Sequence, residues 1–536
     1  MSHYRFPLTI AAAILAALSF GCTPIDSSVT YRNSYDSVQP FMEGLYAATK
    51  NIEVSAQHPA RAAIIPHHLV SPEAMAAGIR SLIPGNYKRI VLLSPDHFAQ
   101  CSTLLCTTNG IFKTAFGDVK TSEFGVRQLA ESPLVTVEPR LFHREHGIFS
   151  VVPFIAHELP DVQVIPIVIS QTLLWSKDKD ELMRVLSSLL DEETALVVSS
   201  DFSHYLPLSL AEQKDKETIL AFISGDLDGI ARLNNPQQSD CPNCLWIIAS
   251  LAQEKGFFNP SVLLHTNSAV LLNDTSVKET TSHFAIVFYA NDSLSTTDPA
   301  FAGDVTVTRG VPRKHSADLQ RFWSGSGQRI VNLEGPLAES CLASSNPYIF
   351  CNLLNNWRKI ADLATMWVIP NNHMLDQGLA NATSQFLIEA SEIPIEEEAM
   401  FGNVRVLAFT NLLNPVAEQQ RVSIPLKRER IFKLLKEKSD ARLTVVYVHD
   451  GIEYEALPSP SSRALYRSLI DAGADAVVVA HSHVPGDMEI YKEKPIFRGL
   501  GNFLFDQYDR VATQTAKIVR LKKSGDHILF ETFTGK

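Results

Sequence analysis

With 536 residues, 45% hydrophobic and 20% charged, the chain is too long for one ordinary core and too apolar to be a disordered polyelectrolyte. At about 150 residues per domain it has room for two to four. A net charge of −11 with no long Lys/Arg run lacks the electrostatic footprint of a nucleic-acid binder and leaves small or polymeric metabolites as ligands.

At the amino terminus Arg5 precedes an apolar run over 6–20 that meets Gly21 and Cys22. The run is short for a membrane span, and a small residue directly before a Cys is what lipidation at that Cys requires. Residues 1–22 are therefore expected to be a lipoprotein signal peptide. Cys22 would be the lipidation site, and the mature chain would be anchored to a membrane in the periplasm or at the cell surface. Ser19 stands where such boxes usually carry Leu, and an uncleaved anchor or plain secretory signal is the alternative. The other six cysteines fall into near neighbours, Cys101/Cys106, Cys241/Cys244 and Cys341/Cys351. That pattern suits short-loop disulfides in an oxidising compartment.

Residues 23–58 read as a polar tether with one short helix near 38–50. Over 59–290 short apolar runs alternate with helix-length amphipathic stretches: AAII (62–65), RIVLLS (89–94), VIPIVIS (164–170), ALVVSSD (195–201) and FAIVFYA (284–290). This alternation predicts an α/β domain with a largely parallel sheet. Chemistry-bearing residues follow the strands in IIPHH (64–68), SPDH (94–97), HREHGI (143–148), SSDFSHY (199–205) and CPNC (241–244).

These motifs, framed by TAFGDV (114–119), VVPFI (151–155) and Asp215 in KDKE, resemble the Memo-like proteins, also called AmmeMemoRadiSam system protein B. The resemblance implies a fold related to class III extradiol dioxygenases. It places His67, His97 and Cys241 at a metal position, with Glu145, His146, Asp201 and His204 around it. Two imidazoles and a thiolate could hold iron, zinc or copper. His68, Gly147 and Pro242 stand where the family commonly has Ala, Ser and Gly. A metal-bound thiolate cannot also be in a disulfide, so Cys241 is either a ligand or the partner of Cys244.

The polar stretch NDSLSTTDP (291–299) reads as a linker. A second α/β series occupies 300–536: FAGDV (301–305), RIVNLEG (329–335), MWVIPNNH (366–373), VRVLAFTN (404–411), LTVVYVHDG (443–451), AVVVAHSH (476–483) and PIFRGLGNFLFD (495–506). Ligands of α/β sheets collect beyond the carboxyl ends of strands, where Asp304, Glu334, Asn372, His373, His449, His481 and His483 fall. A binuclear hydrolytic centre needs this inventory of oxygen and imidazole ligands, a bridging carboxylate and an acid.

In GDV (303–305), NLEGPL (332–337), NNHMLDQG (371–378), VHDGIEY (448–454), LIDAGADAVVVAHSHV (469–484) and GLGNFLFDQ (499–507) the chain resembles the CapA family of poly-gamma-glutamate capsule proteins, relatives of the calcineurin-like phosphoesterases. The resemblance implies an αββα sandwich with manganese, iron or zinc. Asp304 and His483 would hold a first ion, Glu334 would bridge, and Asn372, His449 and His481 would hold a second. His373 would act as general acid or transition-state stabiliser. Asp450 and Ser482 depart from a usual Trp and Pro, Pro370 precedes the NNH run, and Thr306 stands near where standard phosphoesterases carry a further His.

The expectation is an envelope-anchored two-domain metalloprotein whose second domain carries a hydrolase-type site for poly-gamma-glutamate, another anionic surface polymer or a phosphoester. A degenerate, non-catalytic centre that retains such a polymer is one alternative. Iron-dependent oxidation in the first domain is another.

Overall fold

The computed structural model describes residues 29–32, 39–50, 52, 54, 58–290, 297–312, 316–341, 346–376, 387, 393–412, 428–524 and 526–535. The expected signal peptide with Cys22, and residues 291–296 of the expected linker, lie outside the described residues.

The amino-terminal strands are β1 (Thr30–Arg32), β2 (Ala60–Ile65), β3 (Arg89–Pro95), β4 (Leu105–Thr107), β5 (Ile111–Thr114), β6 (Gly117–Lys120), β7 (Val135–Val137), β8 (Gln163–Ile169), β9 (Thr194–Ser199), β10 (His204–Leu206), β11 (Pro260–Asn267) and β12 (Thr280–Tyr289). Most join one sheet in the order β10-β12-β2-β9-β3-β8-β4-β7, with β11 added to β12. Strands β2, β9, β3 and β8 run parallel. Their near-continuous apolar runs are what a sheet covered on both faces requires, and β9 is buried throughout. The parallel registers bring Ile65 level with Ser199, and Leu93 level with Val198. His67, His97 and Asp201, each two residues past its strand, therefore emerge at one edge.

The short helix expected near 38–50 is present as Gln39–Ala48, and residues 30–32 form a paired strand where only a tether was expected. Strand β1 pairs in parallel with β5, and Tyr31 is fully buried against Phe112 with its hydroxyl on Thr108. The helix Gln39–Ala48 sets Tyr46 in a stack on His157. An aromatic at each of these positions has apolar surface to bury, which outweighs the polar composition around it.

The carboxy-terminal strands are β13 (Ala300–Val305), β14 (Arg329–Leu333), β15 (Leu337–Ala338), β16 (Asn352–Leu353), β17 (Met366–Val368), β18 (Ile393–Ile395), β19 (Glu398–Phe401), β20 (Val404–Thr410), β21 (Leu443–His449), β22 (Ala476–Ala480), β23 (Met488–Tyr491), β24 (Lys494–Phe497), β25 (Asn502–Leu504), β26 (Ala516–Ser524) and β27 (His527–Gly535). One sheet runs β18-β17-β14-β13-β26-β27, with β25 on β13; a second runs β19-β20-β21-β22-β24-β23. Alternate side chains of the two, among them Phe301, Ile330, Val445, Tyr447 and Val478, meet in a shared core. Tyr447 crosses it to donate to the Ala302 carbonyl at 2.7 Å. Helices cover the outer faces: Trp357 and Trp323 on the first sheet, Leu465 and Leu469 on the second. This is the αββα sandwich. The covering helix Pro460–Asp471 begins where Ser459 accepts from the Ser462 amide with Pro at its first turn, and it buries Leu465, Tyr466, Leu469 and Ile470 along one stripe.

The two halves share polar ties as well as apolar contact. Arg498 and Asp487 form a fully buried pair, with Arg498 Nε 2.6 Å from Asp487 Oδ1, while Arg498 Nη2 reaches the Val262 carbonyl at 3.3 Å in the other half. Removing one partner of such a pair strands the other charge in the interior, at about 3–5 kcal/mol. Arg498→Met is accordingly expected to lower the urea midpoint by that amount of stability, and a midpoint unchanged from the natural chain would contradict this.

Candidate metal centres

The carboxyl edges of both sandwich sheets converge on one buried cluster. Asp304 lies at the end of β13, Glu334 follows β14, His449 ends β21 and His481 follows β22. Asn332 donates to Asp304 Oδ1 at 2.8 Å, and the His481 amide donates to its Oδ2 at 3.1 Å. His483 Nδ1 lies 3.5 Å from Asp304, and its Nε2 lies 3.8 Å from Glu334. His449 shares a 2.8 Å hydrogen bond with Asn372 Oδ1. His373 sets Nδ1 on Asp376 at 2.9 Å and turns Nε2 to within 3.8 Å of Glu334. All seven predicted residues are thus brought together. Asn371 anchors the loop that delivers two of them, donating to the Leu333 and Ile369 carbonyls and accepting from the His373 amide.

The electrostatics are those of a cation site. Among the described residues, neither oxygen of fully buried Glu334 has a hydrogen-bond partner, nor does Nδ1 of buried His481. Burial, reinforced by Asp304, pushes the Glu334 carboxyl well above the usual range. Burial also pushes His481 down to about 3 and His449 well down, each helped by neighbouring imidazoles. Neutral imidazoles around carboxylates are a donor set for manganese, iron or zinc. Ligand atoms of Glu334, His481 and His483 lie within 4.8 Å of one another. His481 and His483 adopt φ of 104° and 58°, a conformation that non-glycine residues hold only when the surroundings enforce it. Thr306, near the position of the missing His, donates to Asn352 at 2.9 Å.

At the edge of the amino-terminal sheet, His67, His97 and His146 converge, as do His67, Asp201 and Asp240. His67 Nε2 lies 3.1 Å from Asp240 Oδ2 and 3.5 Å from Asp201, and its Nδ1 lies 3.1 Å from Ser199. His97 places Nδ1 on fully buried Glu145 and Nε2 3.6 Å from Asp240. The ring of His146 lies 3.8 Å from that of His97. Burial works downward on His97, but Asp240 and Glu145 push it up to about 9. Burial, with His97 and His67 close by, takes His146 down to about 4. His204 holds the Phe202 carbonyl through Nδ1 and lies close enough to Asp240 to act on it electrostatically. A cavity of about 260 Å³ adjoins Asp240, lined in part by Trp175, Asn235 and Asn243.

Cys241 corrects an expectation. It is disulfide-bonded to Cys244 and caps the helix Pro242–Glu254 by accepting from the Cys244 amide, so its sulfur is not a ligand in this state. Asp240, its neighbour, faces the imidazoles instead. The residues that sequence reading missed are Asp240, His283 (3.0 Å from Asp201), Asn332, Asn502 (2.9 Å from His483) and Asp376. Each except His283 adjoins or sits within a motif already singled out; their signal was adjacency alone. Disulfides also join Cys101 to Cys106 and Cys341 to Cys351.

Comparison with known proteins follows the same division. The family described as Memo-like protein matches residues 27–281, and the family described as bacterial capsule synthesis protein PGA_cap matches 389–507. A MEMO1 family protein of Pyrobaculum aerophilum is 30% identical over 232 residues, covering 40% of this chain and 78% of the relative. Capsule biosynthesis protein CapA of Bacillus anthracis is 30% identical over 190 residues, covering 31% of this chain and 46% of the relative. PGA biosynthesis protein CapA of Bacillus subtilis is 38% identical over 176 residues, covering 29% and 46%. The chain spans about half the length of these two capsule relatives.

Proposed function

Because the chain belongs to the MEMO1 family and fuses that Memo-like domain to a CapA-like one, we propose that it is an envelope-anchored metalloprotein whose carboxy-terminal centre hydrolyses bonds in poly-gamma-glutamate or another anionic surface polymer. The observation that carries this reading is Glu334: a carboxylate with no exposure and, among the described residues, no hydrogen-bond donor, set among His481, His483 and Asp304. An isolated charge in such a place is paired with a metal or is too costly to keep. Asp304, Glu334 and His483 would hold one ion, and Asn372, His449 and His481 a second, with Glu334 shared. Bound ions would supply an activated water and neutralise charge on the reacting oxygen. Asp376 holds Nδ1 of His373, which leaves Nε2 facing the centre as the group able to hand a proton to a leaving oxygen or nitrogen. Lipidation at Cys22 would keep the centre at a membrane surface, where capsule polymer is handled.

The test uses the purified full chain. Metal content is measured by mass spectrometry, and turnover is measured on poly-gamma-glutamate and on bis-p-nitrophenyl phosphate. His373→Ala is expected to retain metal and lose about 10²- to 10⁴-fold in turnover, as removal of a general acid does. His449→Ala is expected to lose both. Metal-free natural protein, or turnover indifferent to both substitutions, would refute the reading.

A further inference from the structure

The junction of the two halves encloses a cleft of about 710 Å³ that shares no lining residue with either metal centre. Its walls mix apolar side chains, among them Val262, Leu263, Leu264 and Ile490, with charged ones, and Arg463 and Arg467 make one side cationic. Arg463 and Arg467 stand one turn apart on the helix Pro460–Asp471 and both line the cleft.

Most of the other charges there are paired with one another among the described residues. Arg467 Nε donates to Glu489 Oε1 at 2.6 Å, and the second oxygen of Glu489 accepts from Arg498 at 3.1 Å. Arg498 also holds Asp487, and Lys517, behind it, donates to the Gly486 carbonyl. Lys492 pairs with Asp471 at 2.6 Å, and Glu493 lies on the same wall, where it acts on Tyr289. Arg463, Arg467, Arg498 and Lys517 thus meet Asp487 and Glu489, and it is the Arg463 guanidinium that makes no hydrogen bond or ion pair among the described residues. Its burial, with Arg498 nearby, pushes it below the usual arginine range, against the opposing pull of Asp487 and Glu489. A partly buried guanidinium with no hydrogen bond of its own, beside apolar side chains, suits an anion whose remainder is apolar.

We propose that this interdomain cleft binds an amphiphilic organic anion, a carboxylate or phosphate head on an apolar body, with Arg463 as the partner of the head and the apolar wall formed by Val262, Leu263, Leu264 and Ile490 against the body. Because the cleft is built from both halves, such a ligand also ties them together.

The probes are decanoate, decyl phosphate and uncharged decanol, titrated calorimetrically into the full chain and into Arg463→Gln and Arg463→Lys. One equivalent of an anion is expected to bind the natural chain, and decanol about tenfold or more weaker. Arg463→Gln should weaken the anion by about tenfold or more, with the unfolding temperature unchanged or raised, and Arg463→Lys should retain much of the affinity. The comparison of decanoate with decyl phosphate tells a carboxylate from a phosphate source. Equal binding of decanol and the anions, or equal anion binding by Arg463→Gln and the natural chain, overturns the proposal. Should Arg463→Gln misfold, anion affinity in the natural chain that does not fall with added salt overturns it as well.

Discussion

Glu334→Gln is expected to abolish metal at the carboxy-terminal centre and, in metal-free buffer, to raise the unfolding temperature above that of the natural chain. Loss and gain have one cause. The natural carboxyl is buried with neither oxygen hydrogen-bonded among the described residues, and it is pushed well above its usual range by burial and then by Asp304, Glu453 and Asp376. Holding such a group costs about 1–3 kcal/mol when it is merely polar and more when charged, and an amide of the same shape removes the charge. The sign with pH follows. A carboxyl raised in the folded state binds its proton more tightly there than in the unfolded chain, so its contribution is fully present below the unfolded value near 4.3 and is lost as pH rises through the folded value. The metal-free natural chain should therefore gain stability on acidification within that window, and Glu334→Gln should gain less. Saturating divalent metal reverses the ranking, because a ligand at a hundredfold its dissociation constant adds about 2.7 kcal/mol to the chain that binds it. Calorimetric scans with and without metal, alongside metal analysis, decide the matter: a variant that keeps its metal, or a metal-free variant less stable than the natural chain, removes Glu334 from the centre.

Much of this centre was legible in the sequence because it is written in local grammar. Parallel strands buried on both faces appear as continuous apolar runs, and Asp304, Glu334, His449 and His481 sit at or just past their ends. What was not legible depends on long-range register. Asn332 and Asn502 reach Asp304 and His483 only because β14 and β25 flank β13 on opposite sides. The Arg498–Asp487 pair and the unpartnered Arg463 owe their character to a contact between halves, which no short window records. Tyr31 was hidden for a related reason: a three-residue strand in a polar stretch has no period to detect, and its burial is decided by Phe112, some eighty positions on. The left-handed backbone at His481 and His483 was equally invisible, since His has no intrinsic preference for it that outweighs its steric cost.

Asp240→Asn is expected to weaken metal binding at the amino-terminal centre by about tenfold or more, while Cys241→Ser combined with Cys244→Ser leaves it unchanged; metal affinities are compared in a Glu334→Gln background, so that only one centre reports. Adjacent residues compete for one role here. Sequence favours the thiolate, since sulfur is the softer and more conspicuous donor, yet Cys241 is joined to Cys244 and turned to the helix Pro242–Glu254. The Asp240 carboxylate lies 3.1 Å from His67 and 3.6 Å from His97, and these imidazoles hold it far below the usual carboxylate range in spite of burial, which acts upward. A carboxylate kept ionised beside two imidazoles needs no reduction step to serve as a ligand, whereas Cys241 does. The disulfide closes a very short loop, so its loss should cost only about 2 kcal/mol of stability on the chain-entropy estimate. The double cysteine variant should therefore fold and give a clean reading. Retention of metal by Asp240→Asn together with its loss from the cysteine variant, under reducing conditions, would hand the position back to sulfur; the opposite pattern, with and without reductant alike, makes the centre one of imidazole and carboxylate, indifferent to the redox state around it.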